Sequence, residues 1–216
     1  AAPDPAELAD YRATVCGRLA EYQIRGVGGP AEREAGLASL ERICDTGHRV
    51  TCAELAQTLA FAGETERARA PFRRGCEEDP RNSPIMLCAN LRDVFAGGLH
   101  RWQVTLTSVE GLELPAGQTC TAWVLRHVAP YDGPWIREAD ECNAEVRCGT
   151  RILYGDGGSV CPCREEGERL TAGEDMTTGR DGDPAVQIDT GDGTLVVRDD
   201  AEGRHGAFTL RGRLGP

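Results

Sequence analysis

Ten cysteines are the residues of this 216-residue chain whose type and spacing point most clearly to chemistry. An even count at this density is typical of a disulfide framework in a secreted chain, whereas cytosolic cysteines of this kind more often bind metal or carry redox chemistry. We therefore expect disulfides and a secreted or periplasmic location. The cysteines are Cys16, Cys44, Cys52, Cys76, Cys88, Cys120, Cys142, Cys148, Cys161 and Cys163.

The last four cysteines also present an alternative to disulfides. Cys142-x5-Cys148 together with Cys161-x-Cys163 would supply four thiolates, which is a ligand set of structural zinc sites. The spacing matches no familiar zinc ribbon or finger, and an oxidising compartment favours bonded sulfurs. We favour disulfides over zinc.

Acidic turns near the C-terminus form a candidate calcium site. Carboxylates gathered at one end of a sheet can bind Ca²⁺, which takes six to eight oxygen ligands. The segment lacks the spacing of the EF-hand loop, and aspartate and glycine are also ordinary turn formers. Solvated turns are the favoured alternative, and calcium is kept as a candidate cofactor. The residues concerned are Asp181, Asp183, Asp189 and Asp192.

Two aromatic residues in a loop are candidates for partner binding. Tyr131 and Trp135 lie within Tyr-Asp-Gly-Pro-Trp, and exposed loop aromatics can serve as binding platforms. The alternative is that the loop packs back onto the C-terminal region, because large aromatic side chains are usually buried.

No catalytic constellation is visible in the sequence. All 24 basic residues are arginine, which removes Schiff-base, P-loop and Ser-x-x-Lys chemistry. The histidines are scattered without metal-ligand spacing, and no serine lies in Gly-x-Ser-x-Gly. We therefore expect a protein that is not an enzyme.

Charge and hydropathy exclude further classes. The net charge of −11 argues against nucleic acid as a partner, because phosphate neutralisation needs clustered basic side chains. No apolar run approaches the roughly 18 residues of a membrane span. The expected partner is another protein, or a second copy in a self-assembly.

The first hundred residues carry helical patterns. Leu8, Tyr11, Val15, Leu19 and Tyr22 recur at helical spacing, and four further segments end near Gly47, Gly63, Cys76 and Gly97. Thr51 and Glu54 have the spacing of a capping box, and Pro71 should kink the fourth helix or delay its start.

A short element repeats within this helical region. Cys52-Ala53-Glu54-Leu55 and Cys88-Ala89-Asn90-Leu91 are 36 residues apart, and Cys16-Gly17-Arg18-Leu19 is a weaker copy. With Leu40-x-x-Ile43-Cys44, Phe61-Ala62-Gly63 and Arg74-Gly75-Cys76, residues 10–98 resemble cysteine-rich Sel-like repeats, relatives of tetratricopeptide repeats. The resemblance implies an array of paired helices, with disulfides Cys44–Cys52 and Cys76–Cys88.

From His100 onwards the pattern changes to short alternating segments separated by glycine- and aspartate-rich turns. This spacing predicts an antiparallel β-sandwich. The predicted fold class is therefore α+β, with a helical repeat domain over 1–99 and a β-sandwich domain over 100–216.

Six cysteines remain after the implied pairs, and fifteen connectivities are open to them. Cys142 and Cys148 would lie about 20 Å apart on one strand, too far to bond. If 118–128 pairs with 141–149, Cys120 falls close to Cys148. Parity suggests that Cys16 bonds to the β region; the alternative is a bond to another chain.

These observations favour a non-catalytic, disulfide-stapled interaction protein, with a protein-binding helical array and a β docking domain. The alternative is a structural subunit of an extracellular assembly or polymer.

Overall fold

The computed structural model describes residues 4–78, 85–128, 141–149, 151–154, 160–172, 186–199 and 208–215. The chain divides into two compact units, Ala1–Ala96 and Gly97–Pro216. The first unit is helical and the second is built from strands. Within the described residues, no helix combines the length and the apolar character needed to cross a bilayer.

Among its described residues the first unit contains five helices, as the spacing of apolar residues predicts. Pro71 does not delay α4, but a π-helical turn, Arg73–Glu77, follows that helix directly. The predicted capping box is wrong, since His48 caps α3 by accepting a hydrogen bond from the backbone N–H of Thr51. The helices are α1 Pro5–Arg25, α2 Arg33–Asp45, α3 Arg49–Phe61, α4 Thr65–Phe72 and α5 Ile85–Phe95.

The predicted array of paired helices is wrong. In an array of paired helices the first helices of successive repeats pack side by side in equivalent ways, whereas α1 packs mainly against α2 and only slightly against α3. Seven of the 13 residues of α3 are buried, so this helix is the centre of a small bundle. The Cys-Ala-x-Leu elements recur because α3 and α5 both supply buried side chains, including Leu55 and Leu91.

Nine antiparallel strands form the described part of the second unit. In hydrogen-bonded order they run β2-β1-β9-β8-β7-β6-β5-β3-β4, and β2 also pairs with β3. The strands are β1 Leu99–Glu110, β2 Thr119–Arg126, β3 Glu141–Cys148, β4 Arg151–Tyr154, β5 Val160–Glu166, β6 Arg169–Ala172, β7 Val186–Asp189, β8 Thr194–Asp199 and β9 Phe208–Leu214.

The pairing of β2 with β3 makes the ladder continuous round one curled sheet. Alternate residues along each strand face a shared apolar interior, as in other small closed sheets. Val104 and Leu106 of β1 lie there with Leu195 and Val197 of β8, and all four are buried.

The predicted β-sandwich is therefore wrong, because a sandwich needs two separate sheets and the described strands belong to one. The same alternation of inward apolar and outward polar residues serves both architectures. The two architectures differ in which strands pair with one another.

Candidate interaction surface

The most unusual surface of the helical unit is an apolar stripe on α1. We define the stripe as Leu8, Tyr11, Val15, Leu19 and Tyr22. Their exposed fractions are 38%, 66%, 39%, 60% and 46% in chain order. The helical spacing that the sequence predicts is present, but it faces away from the core of the unit.

The opposite side of α1 packs against its neighbours through small residues. Gly17 and Ala20 are buried there, while Ile24 is half-buried. Gly36 of α2 makes the close approach, since a Cβ at that position would lie 2.7 Å from the carbonyl oxygen of Ala20. On this side α1 therefore packs through residues with little side chain together with Ile24, while the five residues of the stripe lie outside.

The stripe is a cluster, not a scatter of single residues. Of the nine exposed large apolar side chains among the described residues, six lie between Leu8 and Val27. The other three, Val50, Met86 and Val128, lie apart from one another in the sequence. Isolated apolar residues on a surface are ordinary, whereas a contiguous patch marks an interaction site.

A polar cluster lies where α1 meets α3. Arg18 forms an ion pair with Glu21 at 2.7 Å, and a Cβ at Gly17 would lie 3.3 Å from the Glu54 carboxylate. Burial raises the pKa of Glu54 to about 7; the negative charge of Glu21 adds to this effect and Arg18 opposes it. The cluster thus holds a carboxyl group that titrates near neutrality.

Asp10, His48 and Thr51 have the connectivity of a hydrolase triad. His48 Nε2 lies 3.3 Å from Asp10 Oδ1, and His48 Nδ1 lies 2.8 Å from Thr51 Oγ1. However, Thr51 is 0% exposed, and His48 Nδ1 caps α3 by accepting from the Thr51 N–H. A buried hydroxyl beside a capping histidine serves the helix start, not nucleophilic attack.

Eight of the cysteines whose side chains the structure describes form four disulfides. The pairs implied by the resemblance are present, Cys44–Cys52 and Cys76–Cys88, with Cα–Cα distances of 4.6 Å and 5.5 Å. In the second unit the pairs are Cys120–Cys148 and Cys142–Cys163. Four disulfides are typical of a stabilised extracellular protein.

The disulfides of the second unit follow from the strand register. Cys120 lies directly opposite Cys148 in the pairing of β2 with β3, because Thr121 pairs with Arg147. Cys142 and Cys148 are both bonded within the interior of the sheet, which makes the zinc interpretation wrong. Cys161 lies opposite Cys142 in the backbone register, and its side chain is outside the described residues.

Cys16 is a free, exposed thiol, so the predicted bond to the β region is not formed. At about 100° of rotation per residue, Cys16 lies about 100° round α1 from Val15. The thiol is therefore at the rim of the apolar stripe, beside Leu19.

The candidate calcium residues are only partly described. Asp189 accepts hydrogen bonds from the backbone N–H groups of Asp192 and Gly191, both at 3.1 Å, which lower its pKa together with the Arg169 side chain. Asp189 thus closes the turn between β7 and β8. Asp181 and Asp183 lie outside the described residues. The described part of the chain holds no group of three or more histidine, cysteine, aspartate or glutamate side chains that could bind a metal ion. The candidate binding residues Tyr131 and Trp135 also lie outside the described residues.

Comparison with known proteins adds no relative: no protein-family model, curated protein or solved structure matches the chain. The resemblance of residues 10–98 to Sel-like repeats therefore stays a prediction from cysteine and leucine spacing. Function has to be inferred from the surfaces of the molecule, among which the α1 stripe is the most distinctive.

The sequence contains the five residues of the stripe but not their direction. Helical spacing of large apolar residues usually predicts a buried face. The signal that points the other way is the run of small residues on the opposite side, Gly17 and Ala20, matched by Gly36 on the next helix.

Proposed function

We propose that this chain is a non-catalytic, extracytoplasmic binding protein and that the α1 stripe is its binding surface for protein. The observation that carries the proposal is the exposure of five large apolar side chains on one side of a single helix. Leaving such a patch in water is unfavourable, at about 25 cal/mol for each Å² of apolar surface. A partner that covers the patch recovers that free energy.

The rest of the unit supports a rigid binding surface. The Cys44–Cys52 bond joins the end of α2 to the first turn of α3, and Cys76–Cys88 joins the π-helical turn to α5. A small bundle stapled in this way presents a helix face with little loss of conformational entropy on binding.

A protein partner fits the chemistry of the stripe better than a lipid surface does. The overall charge of −11 is repelled by anionic lipid. Tyrosine is enriched in protein interfaces, because its ring is buried while its hydroxyl finds a hydrogen-bond partner. Tyr11 and Tyr22 supply two such rings, one towards each end of the stripe.

Site-specific photo-crosslinking in the cells that produce the chain tests the proposal. A photoreactive amino acid is placed at Leu19 in one variant and at Val50 in a control, since Val50 is exposed on α3 but outside the stripe. Adducts with protein are expected for Leu19 and not for Val50. Equal adducts from both positions, or none from Leu19, would contradict the proposal.

A further inference from the structure

We propose that the protein covering the α1 stripe is a second copy of this chain, packed antiparallel so that the two helices cross at Val15. This inference rests on the proposed function and names the partner for that surface. It follows from the symmetry of the stripe, from the charges beside it and from its area.

The spacing of the stripe is the same in both directions along α1. Its spacing is three, four, four and three residues, with Val15 at the midpoint. At about 100° per residue, its members fall within an arc of about 80° centred on Val15. The exposed fractions follow the same symmetry, with 66% at Tyr11 matching 60% at Leu19.

A two-fold symmetric interface requires a self-complementary patch, because every contact of one residue with a second residue of the partner is repeated with the two residues exchanged. With the crossing at Val15, Leu8 of one copy lies level with Tyr22 of the other, and Tyr11 lies level with Leu19. Each tyrosine ring then packs against a leucine, while Val15 meets Val15 at the axis. The arrangement brings no two bulky tyrosine rings to the same level.

The charges at the ends of α1 are complementary in this arrangement. Glu7 in the first turn and Arg25 in the last turn are exposed and 18 residues apart, which is five turns. Both therefore lie on the same side of the stripe. In the antiparallel dimer, Glu7 of each copy comes within about 3 Å along the helix axis of the level of Arg25 of the other copy. Two opposite-charge pairs result.

The area of the stripe sets the expected affinity. Applied to ordinary side-chain areas, the exposed fractions give on the order of 500 Å² of apolar surface per copy. Two copies would bury on the order of 1,000 Å², at the lower limit of specific interfaces. A reversible dimer with a dissociation constant on the order of 10–100 μM is expected. Because the contact is isologous, assembly closes at two copies and does not continue into a polymer.

Sedimentation velocity of the whole chain, from about 1 μM to about 500 μM, measures the association. The matched variants are Val15→Glu and Val50→Glu, since both valines are 39% exposed and only Val15 is in the stripe. Val15→Glu places two carboxylates at the axis and is expected to weaken the dimer at least tenfold. Val50→Glu is expected to leave it unchanged, and circular dichroism checks that both variants fold.

The end charges test the antiparallel register separately. Glu7→Arg alone and Arg25→Glu alone each place like charges opposite one another and should weaken the dimer a few-fold. An equimolar mixture of the two variants should recover the wild-type affinity, since the mixed dimer restores both opposite-charge pairs. A mixture that stays as weak as its components overturns the register.

Two further outcomes overturn the second copy as the occupant. One is a wild-type chain that stays monomeric throughout the concentration range. The other is a photo-crosslinked adduct at Leu19 whose mass is not twice that of the chain. With a foreign adduct the stripe remains a binding surface, whereas absence of any adduct at Leu19 removes the proposed function as well.

Discussion

Replacing Glu54 with glutamine tests the electrostatics at the junction of α1 and α3. The fold holds the Glu54 carboxyl half-buried, and its pKa is raised to about 7 by burial first and by Glu21 second. Because the ordinary pKa is 4.5, the folded chain keeps this proton over a pH range in which the unfolded chain loses it. The contribution of the Glu54 carboxyl to the free energy of unfolding is therefore at its highest below about pH 4.5. It falls as the pH rises to about 7 and is constant above that pH.

The size of the effect follows from the pKa and the exposure. Taken in full, the difference between 4.5 and about 7 corresponds to about 3 kcal/mol. Glu54 is only half-buried, so solvent screening reduces this figure to about 1 kcal/mol. Glu54→Gln should match wild type at pH 4 and exceed it by about 1 kcal/mol at pH 8.

Urea unfolding followed by far-ultraviolet circular dichroism at pH 4 to 8 measures the free energy of unfolding of the helical signal. Glu77→Gln is the matched control, because Glu77 is an exposed glutamate of the same unit. The difference in free energy of unfolding between wild type and Glu54→Gln should increase with rising pH. The difference between wild type and Glu77→Gln should not change with pH. If the Glu54→Gln curve is also parallel to wild type, the raised pKa is refuted.

Three further stability predictions concern packing, capping and disulfides. Gly36→Ala should destabilise the helical unit by about 1–2 kcal/mol, since the clash with the Ala20 carbonyl outweighs the gain in helix propensity. Gly29 lies in open space, so the control Gly29→Ala should leave the free energy of unfolding in urea nearly unchanged. His48→Ala should cost about 1 kcal/mol of stability through loss of the α3 cap. His48→Asn should retain most of that stability, and thermal melting of the two variants measures the difference. Replacing Cys120 and Cys148 together with serine opens a loop of 28 residues and should cost about 3–4 kcal/mol, read from the denaturant midpoint of the sheet signal.

The helices were predictable because apolar spacing and glycine stops are local signals. Their arrangement was not, because periodicity shows that a helix has an apolar face without showing which helix covers it. Leu55 and Leu59 of α3 would fit a repeat as well as a bundle centre. The contacts of α3 with every other helix depend on residues far apart in the chain.

The β region shows the same limit in a different form. Alternation predicts strands, and if 118–128 pairs with 141–149, Cys120 falls close to Cys148. Whether strands form two sheets or one curled sheet depends on pairings such as β1 with β9, which join residues about a hundred positions apart. No local pattern encodes that choice.

For the candidate surface, the sequence supplied the residues and the structure supplied their direction. The spacing of Leu8, Tyr11 and Val15 predicts an amphipathic helix. The exposed side was decided by Gly17, Ala20 and Gly36, which let two backbones approach closely on the other side. Small residues carry little hydrophobic signal, so a pattern search underestimates them.

The distance between the two copies of Cys16 tests the central claim most directly. Spin labels on this exposed thiol, measured by the dipolar broadening of electron paramagnetic resonance spectra in the wild-type chain and in Val15→Glu, report contact between α1 helices. For helices packed 8–10 Å apart and crossing at Val15, the two Cys16 Cβ atoms should be about 10 Å apart, and the broadening should be lost in Val15→Glu. A wild-type spectrum without dipolar broadening, or identical broadening in Val15→Glu, would contradict a dimer built on the stripe.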